Sequence, residues 1–201
     1  MRTQLARTII NLSRGKPAGF IITPRELLHL ASRAVIDQTL SRLVKEEKIY
    51  RLCRGYYTYP VKKGSSRFLG YYAPSTHDFM KAWMEKTGEK LVTHGAAAAN
   101  YLHIDTQVSM GLILLTSGPS RKINLGGCII ELRHTPNWLL MYDETPEGWL
   151  LRALVSYSPS VYDSLLSKVK RLPNIDWEKI TKISSMFPSY LLNFIHRVIY
   201  G

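Results

Sequence analysis

The 201-residue sequence is short of several things, and each shortage excludes a class of protein. Its only cysteines are Cys53 and Cys128. Neither sits in a CxxC or Cys/His spacing, which excludes a disulfide framework and a zinc site. No apolar run approaches the ~18–20 residues needed to span a bilayer. The first residues, MRTQLARTIINLS, have arginines interrupting the apolar positions, so they do not read as a signal peptide. A soluble, cytoplasmic protein without a membrane partner is the expectation. Missing too are GxSxG, a P-loop, GxGxxG and HExxH, the short motifs that would announce a nucleophile, a nucleotide or a metal. His103-x-Asp105, with His94 and His134 elsewhere, is the one candidate metal set, but HxD alone is not a ligand pattern. No catalytic residue, metal or cofactor is predicted, and the histidines are read as structural.

Acidic residues are scarce as well: 15 Asp and Glu stand against 27 Lys and Arg, a formal charge of +12. The imbalance is local. Residues 1–63 hold 13 cations and 4 acids, whereas residues 64–201 hold 14 and 11. A basic excess confined to the first third points to a polyanion partner for that third. A hydrophobic content of 45%, with four Trp and twelve Tyr, provides for a folded core.

Residues 20–60 organise the rest. A short helix over residues 3–12 precedes them, with Leu5, Ile9 and Leu12 on one face. Phe20-Ile21-Ile22 is strand-like. Thr23-Pro24-Arg25-Glu26 has the chemistry of a helix start, with a capping threonine, proline at the first helical position and a glutamate to complete the box. A brief second helix carrying Leu27, Leu28 and Leu30 follows from that.

Ser32 is the predicted cap of a third helix running to about Glu46. At 100° per residue, Ile36, Leu40, Leu43 and Val44 fall on one side. Ala34, Gln38, Ser41, Arg42 and Lys45 fall on the other. Gln pairs with adenine edges, Arg with guanine edges, and Ser and Lys hold phosphates. Ala34 is small enough for close approach to a groove, and Ser32 and Arg33 stand at the positive end of the helix, where phosphates bind. Residues 49–52 and 56–60 are β-favouring runs about Arg54-Gly55, a hairpin with Arg51 and Arg54 near its tip. Those two arginines suit a minor groove or the flanking phosphates. Most of the hairpin tyrosines are expected to pack it onto the helix. Helix, turn, helix and hairpin in this order describe a winged helix-turn-helix, and the nine residues Ser32, Arg33, Ala34, Gln38, Ser41, Arg42, Lys45, Arg51 and Arg54 describe a surface for double-stranded DNA.

Val61-Lys62-Lys63-Gly64-Ser65-Ser66-Arg67 is a polar break, giving a winged-helix domain over residues 1–63 and a second domain over residues 64–201. The overall expectation is an α+β chain. In the second domain, Pro74-Ser75 starts a helix, and the alanines of residues 96–99 favour another that neighbours can approach closely. Strand-like runs at 111–116, 122–125 and 128–134, joined by turn chemistry, suggest a small antiparallel meander. Helices opened by Thr145-Pro146, Ser158-Pro159, Asp176 and Ser189 complete the chain. The last carries apolar residues around well over half its circumference, through burial or as a partner-binding face.

SRAVIDQTLSRLVKEEKIYRLCRGYYTYP resembles the winged-helix region of AbiEi-type antitoxins, from type IV (abortive-infection) toxin–antitoxin systems. THGAAAANYL, LTSGPSRKI and the strand ending at His134 resemble the second domain of a subgroup of that family. The likeness covers most of residues 20–135. It implies a repressor of its own operon that also neutralises a neighbouring nucleotidyltransferase-like toxin, with DNA contacts on the helix and hairpin named above. It also marks His94, Asn100, Ser117, Gly118 and Arg121 as pattern positions without assigning them a role. Glu47 departs from the pattern, which commonly has a glycine there, so this residue must adopt positive φ or end the helix differently. A homodimer on DNA is left open. Two rivals stand beside this reading: a winged-helix transcriptional regulator whose second domain senses a ligand or dimerises, and a nucleic-acid enzyme using His103 and Asp105.

Overall fold

The computed structural model describes residues 2–17, 19–60, 74–106, 111–125 and 128–201. The chain is α+β, with eight helices and two small sheets among those residues. It divides into two compact units, residues 1–89 with 123–128 and residues 90–122 with 129–201. The polar break at residues 61–67 lies outside the described residues.

In the first unit, α1 (Arg2–Arg14) is followed by β1 (Ile21–Ile22), α2 (Arg33–Lys45), β2 (Tyr50–Cys53), β3 (Tyr56–Thr58) and α3 (Thr76–Thr87). The three strands form one antiparallel sheet in the order β1-β3-β2. Ala6 and Ile9 of α1, Leu27, the Ile36, Leu40 and Leu43 seam of α2, Ile49 and Tyr57 share one buried cluster. The amphipathic spacing of α2 thus does what its sequence demands, removing one stripe from water and leaving the opposite one out.

The brief helix expected after Thr23 is not formed. Residues 24–30 are a succession of turns, their amides bonding three residues back (Glu26 to Thr23, Leu27 to Pro24, Leu28 to Arg25, Leu30 to Leu27). Glu26 supports the entry by accepting from both the backbone and the hydroxyl of Thr23, at 3.1 and 2.6 Å. The start signal is therefore used, but it leads into tight three-residue winding and not into an α-helix.

α2 begins after Ser32, as the sequence predicts, and ends at Glu46. Glu47 takes the left-handed conformation at φ 54°. Its amide donates to Val44 O at 3.0 Å and that of Lys48 to Leu43 O at 2.9 Å, the two bonds of a Schellman closure. His103 repeats this arrangement in the second unit, at φ 55°, with Ile104 N bonding Ala99 O at 2.9 Å.

α3 opens on a full capping box between Ser75 and Asp78 and closes on left-handed Gly88. Its Phe79 and Trp83 pack on Tyr56 of the hairpin, Trp83 stacking at 5.5 Å and 5°.

The remaining elements are β4 (Leu91–Thr93), α4 (Gly95–Tyr101), β5 (Leu112–Thr116), β6 (Arg121–Leu125) and β7 (Cys128–His134), then α5 (Pro146–Ser156), α6 (Tyr162–Lys170), α7 (Trp177–Lys182) and α8 (Ser189–Tyr200); all belong to the second unit except residues 123–125 of β6 and Cys128 of β7, which are grouped with the first. The expected antiparallel meander is replaced by a mixed sheet in the order β4-β5-β7-β6. β4 runs antiparallel to β5, but β5 pairs with β7 in parallel, Leu114 opposite Leu132. The cause lies in the Ser117–Ser120 loop, which crosses the end of β7. Thr135 N donates to Thr116 O at 3.1 Å and His134 N to Ser120 Oγ at 2.8 Å. Carried across one strand, the chain sets β6 beyond β7 instead of beside β5.

The alanines of α4 bring it onto α5 with almost nothing between them. A Cβ on Gly95 would stand 2.3 Å from Arg152 O. Arg152 itself is 1% exposed, donating to Leu139 O at 3.2 Å and Asp143 O at 2.6 Å. Glu144 ties β4 to this helix: it accepts from Thr93 N, Thr93 Oγ1 and Trp149 Nε1, each at 2.7 Å. α8 buries Leu191, Phe194, Ile195 and Val198 in the same core, while Tyr190 and Leu192 remain exposed. Among the described residues no helix is long and apolar enough to cross a membrane.

Candidate nucleic-acid interface

Ser32, Arg33, Ala34, Gln38, Ser41 and Lys45 are exposed on α2, Arg42 is half-buried, and Arg51 and Arg54 are exposed on the hairpin. The nine predicted residues therefore come to one compact unit. Asp37, Gln38, Ser41, Arg42 and Lys45 line a shallow concavity along the outer face of α2. Ser32 sits at the N-cap without a side-chain cap bond.

The outer face carries more acid than its cations alone suggest. Arg33 Nε bonds Asp37 at 2.8 Å, and Arg42 Nε lies 3.6 Å from Glu46. Glu46 also takes a 2.6 Å bond from Lys48, and this bond holds its carboxyl below the ordinary carboxylate range. Both arginines are paired four residues on, a spacing readable from the sequence. Both pairs lie in solvent, so a phosphate can displace the carboxylate at small cost.

Two features set the hairpin. Gly55, at φ 80°, makes its turn, and a register irregularity between Arg51 and Cys53 bends β2. Tyr57 joins the core beneath α2, as the sequence predicts, whereas Tyr56 faces α3. Tyr59 is half-buried, and its hydroxyl accepts from Arg14 Nε at 2.8 Å. Lys86 of α3 bonds Arg54 O and Gly55 O at 3.3 and 3.4 Å, a contact absent from the sequence reading. Burial lowers its pKa, with Arg33 and Arg54 adding to the shift. The Cys53 thiol, half-buried beside Lys86, is pushed up by burial.

The pattern positions of the second unit do not form one site. Ser117 and Gly118 sit at one end of β5: Ser117 Oγ accepts from Lys90 N at 3.0 Å, and Gly118 N donates to Thr116 Oγ1 at 3.0 Å. Arg121 Nη1 donates to Pro119 O at 3.0 Å in the same loop. His94 lies at the other end of β4, four residues or about 13 Å along the strand. Its Nδ1 caps α4 by accepting from Ala96 N at 3.3 Å, and burial, then Arg133, lowers its pKa. Asn100 stands in the last turn of α4, where its carbonyl accepts from His103 N at 3.0 Å.

The remaining candidates are dispersed. His103 holds the left-handed position after α4, and Asp105 accepts from Tyr157 Oη at 3.0 Å. His134 Nδ1 lies 3.0 Å from Gly118 O. Among the described residues no three His, Cys, Asp or Glu side chains are grouped to hold a metal ion.

A family model matches residues 8–174 of the chain. The chain belongs to DUF6088, a family of unknown function. The DUF6088 span takes in α2, the hairpin, α3, the four-stranded sheet and α4 to α6, and stops before α7 and α8. The candidate interface and the Ser117–Arg121 loop both fall inside it. No curated protein matches the chain.

Proposed function

We propose that the first unit is a winged helix that binds double-stranded DNA, with α2 as the reading helix in the major groove and the β2–β3 hairpin as the wing. The observation that carries this is the outer face of α2. Opposite its buried Ile36–Leu40–Leu43 seam it presents Ala34, Gln38, Ser41 and Lys45, with Arg42 at the edge and Arg51 and Arg54 on the nearby hairpin. A small residue, an amide, a hydroxyl and cations are the groups that base edges and phosphates accept. The concentration of positive charge in residues 1–63 supplies the sequence-independent attraction. Titrating the full chain on the promoter of its own gene tests the reading. Binding that falls steeply with salt is expected, and no binding at low salt would sink it.

From the resemblance to AbiEi-type antitoxins we extend the proposal. The protein represses its own operon in the cytoplasm and neutralises a cognate nucleotidyltransferase-like toxin through the second unit, by binding and not by chemistry. Co-expression with the product of the adjacent reading frame tests this part. Rescue of growth is expected, and a neighbour without toxicity removes the antitoxin function while leaving DNA binding in place. A plain regulator that dimerises through the second unit is the alternative. It is favoured by the exposed Tyr190, Leu192 and Tyr200 of α8, which offer apolar surface to a second copy.

A further inference from the structure

α3 lies outside the helix and hairpin on which the DNA reading rests, yet one of its side chains reaches into the hairpin turn. Lys86 Nζ donates to Arg54 O at 3.3 Å and to Gly55 O at 3.4 Å, and stands 3.9 Å from the centre of the Tyr56 ring. That ring is itself fixed by stacking on Trp83, three residues before Lys86 on the same helix. Gly55 leaves the room: a Cβ there would fall 2.5 Å from Nζ. An ammonium has three donors and no acceptor capacity. Two carbonyls and a ring face occupy its directions, so the charge is turned into the loop and away from a ligand. Burial accompanies this placement and lowers the Lys86 pKa.

We infer that Lys86 is a positioning residue, which by gripping the Arg54-Gly55 turn from α3 fixes where the Arg54 guanidinium meets the DNA backbone. The inference rests on the winged-helix reading. A turn already ordered loses less freedom on binding than one that must be ordered by the ligand, and the gain appears as affinity carried through Arg54.

The test is a double-mutant cycle with the full chain on a duplex carrying the promoter of its own gene. Lys86→Met keeps the stem against Tyr56 and removes the donors; Lys86→Arg keeps a cation. Lys86→Met is expected to weaken binding roughly tenfold, the worth of one contact to a charged group. It should leave an Arg54→Ala protein no weaker than before, and Lys86→Arg should retain most of the affinity. An equal loss in both backgrounds means that Lys86 touches DNA itself, and overturns the inference, as does no loss in either.

A second measurement needs no DNA. Tryptic cleavage after Arg54, read by mass spectrometry, is expected to quicken several-fold in Lys86→Met at an unchanged melting temperature. Unchanged cleavage overturns the grip on the turn. If the wild-type chain binds no duplex, the DNA reading fails, and the cleavage rate still decides by itself whether Lys86 holds the hairpin.

Discussion

The amide of Lys48 donates to the carbonyl of Leu43 at 2.9 Å, closing α2 around a left-handed Glu47. A residue with a Cβ pays for that conformation, where glycine does not. Glu47→Gly is therefore expected to raise stability by about 0.5–1 kcal/mol, part of the gain being offset by the looser unfolded chain. Urea unfolding measures it. A destabilised variant would mean that the Glu47 side chain holds the closure in some way the backbone bonds do not.

The α2 face makes a graded prediction. Arg42→Ala and Gln38→Ala are expected to relax sequence preference, each by about 1–3 kcal/mol against competing base pairs. Lys45→Ala should weaken all duplexes alike and reduce the salt slope by about one. Retained preference in the Arg42 and Gln38 variants would remove α2 from the reading role.

How far the sequence could be followed is clearest at α2 itself. Its bounds and its buried stripe come from local chemistry, because period and cap act within a few residues of one another, whereas the awkwardness at Glu47 was marked by the resemblance. The hairpin follows for the same reason. The resemblance marked Ser117, Gly118 and Arg121 together, but nothing local says that their loop steps over β7. That crossing depends on bonds from Ser120 to His134 and from Thr135 to Thr116. The grip of Lys86 was equally hidden, since it needs Trp83 to meet Tyr56 across 26 intervening positions of sequence. The turns after Thr23 misled in the opposite direction: a sound start signal stood before a stretch whose amides bond three residues back instead of four.

Close packing in the second unit predicts intolerance at Gly95. Gly95→Ala would place a methyl 2.3 Å from Arg152 O and 2.5 Å from Ser156 Cβ, so α4 must move off α5. A loss of about 2–3 kcal/mol is expected by thermal or urea unfolding. Wild-type stability in this variant would show that the two helices do not approach so closely.

Arg152 gives a second stability test. Its guanidinium is buried against Leu139 O and Asp143 O, with Glu144 Oε1 at 3.5 Å. Arg152→Met keeps much of the volume but strands those acceptors, and a loss of about 3 kcal/mol is expected. A neutral result would mean that water or a shift of the 139–144 segment satisfies them.

His94 gives the chain a pH dependence with a defined sign. Burial, then Arg133, depresses its folded pKa below the ordinary 6.5. The unfolded state thus binds the proton first, so this stabilisation is present above about pH 6.5 and declines as pH falls below it. Asn can cap a helix without titrating. His94→Asn is expected to flatten that part of the stability profile, measured by urea unfolding between pH 5 and 8. An identical slope in the variant would assign it to another group.

The passage of residues 117–120 over the end of β7 has a consequence for the order of assembly. β4 and β5 are close in sequence and can zip together early, but β5 cannot complete its other side until β6 and β7 have been made and folded back as a pair. Through that interval the Leu112–Thr116 edge, LILLT, stands as an open apolar strand. Such an edge is a template for another chain as much as for β7. The late closure of β5 and its exposure as an open edge then share one origin, in the four residues that separate β5 from β6.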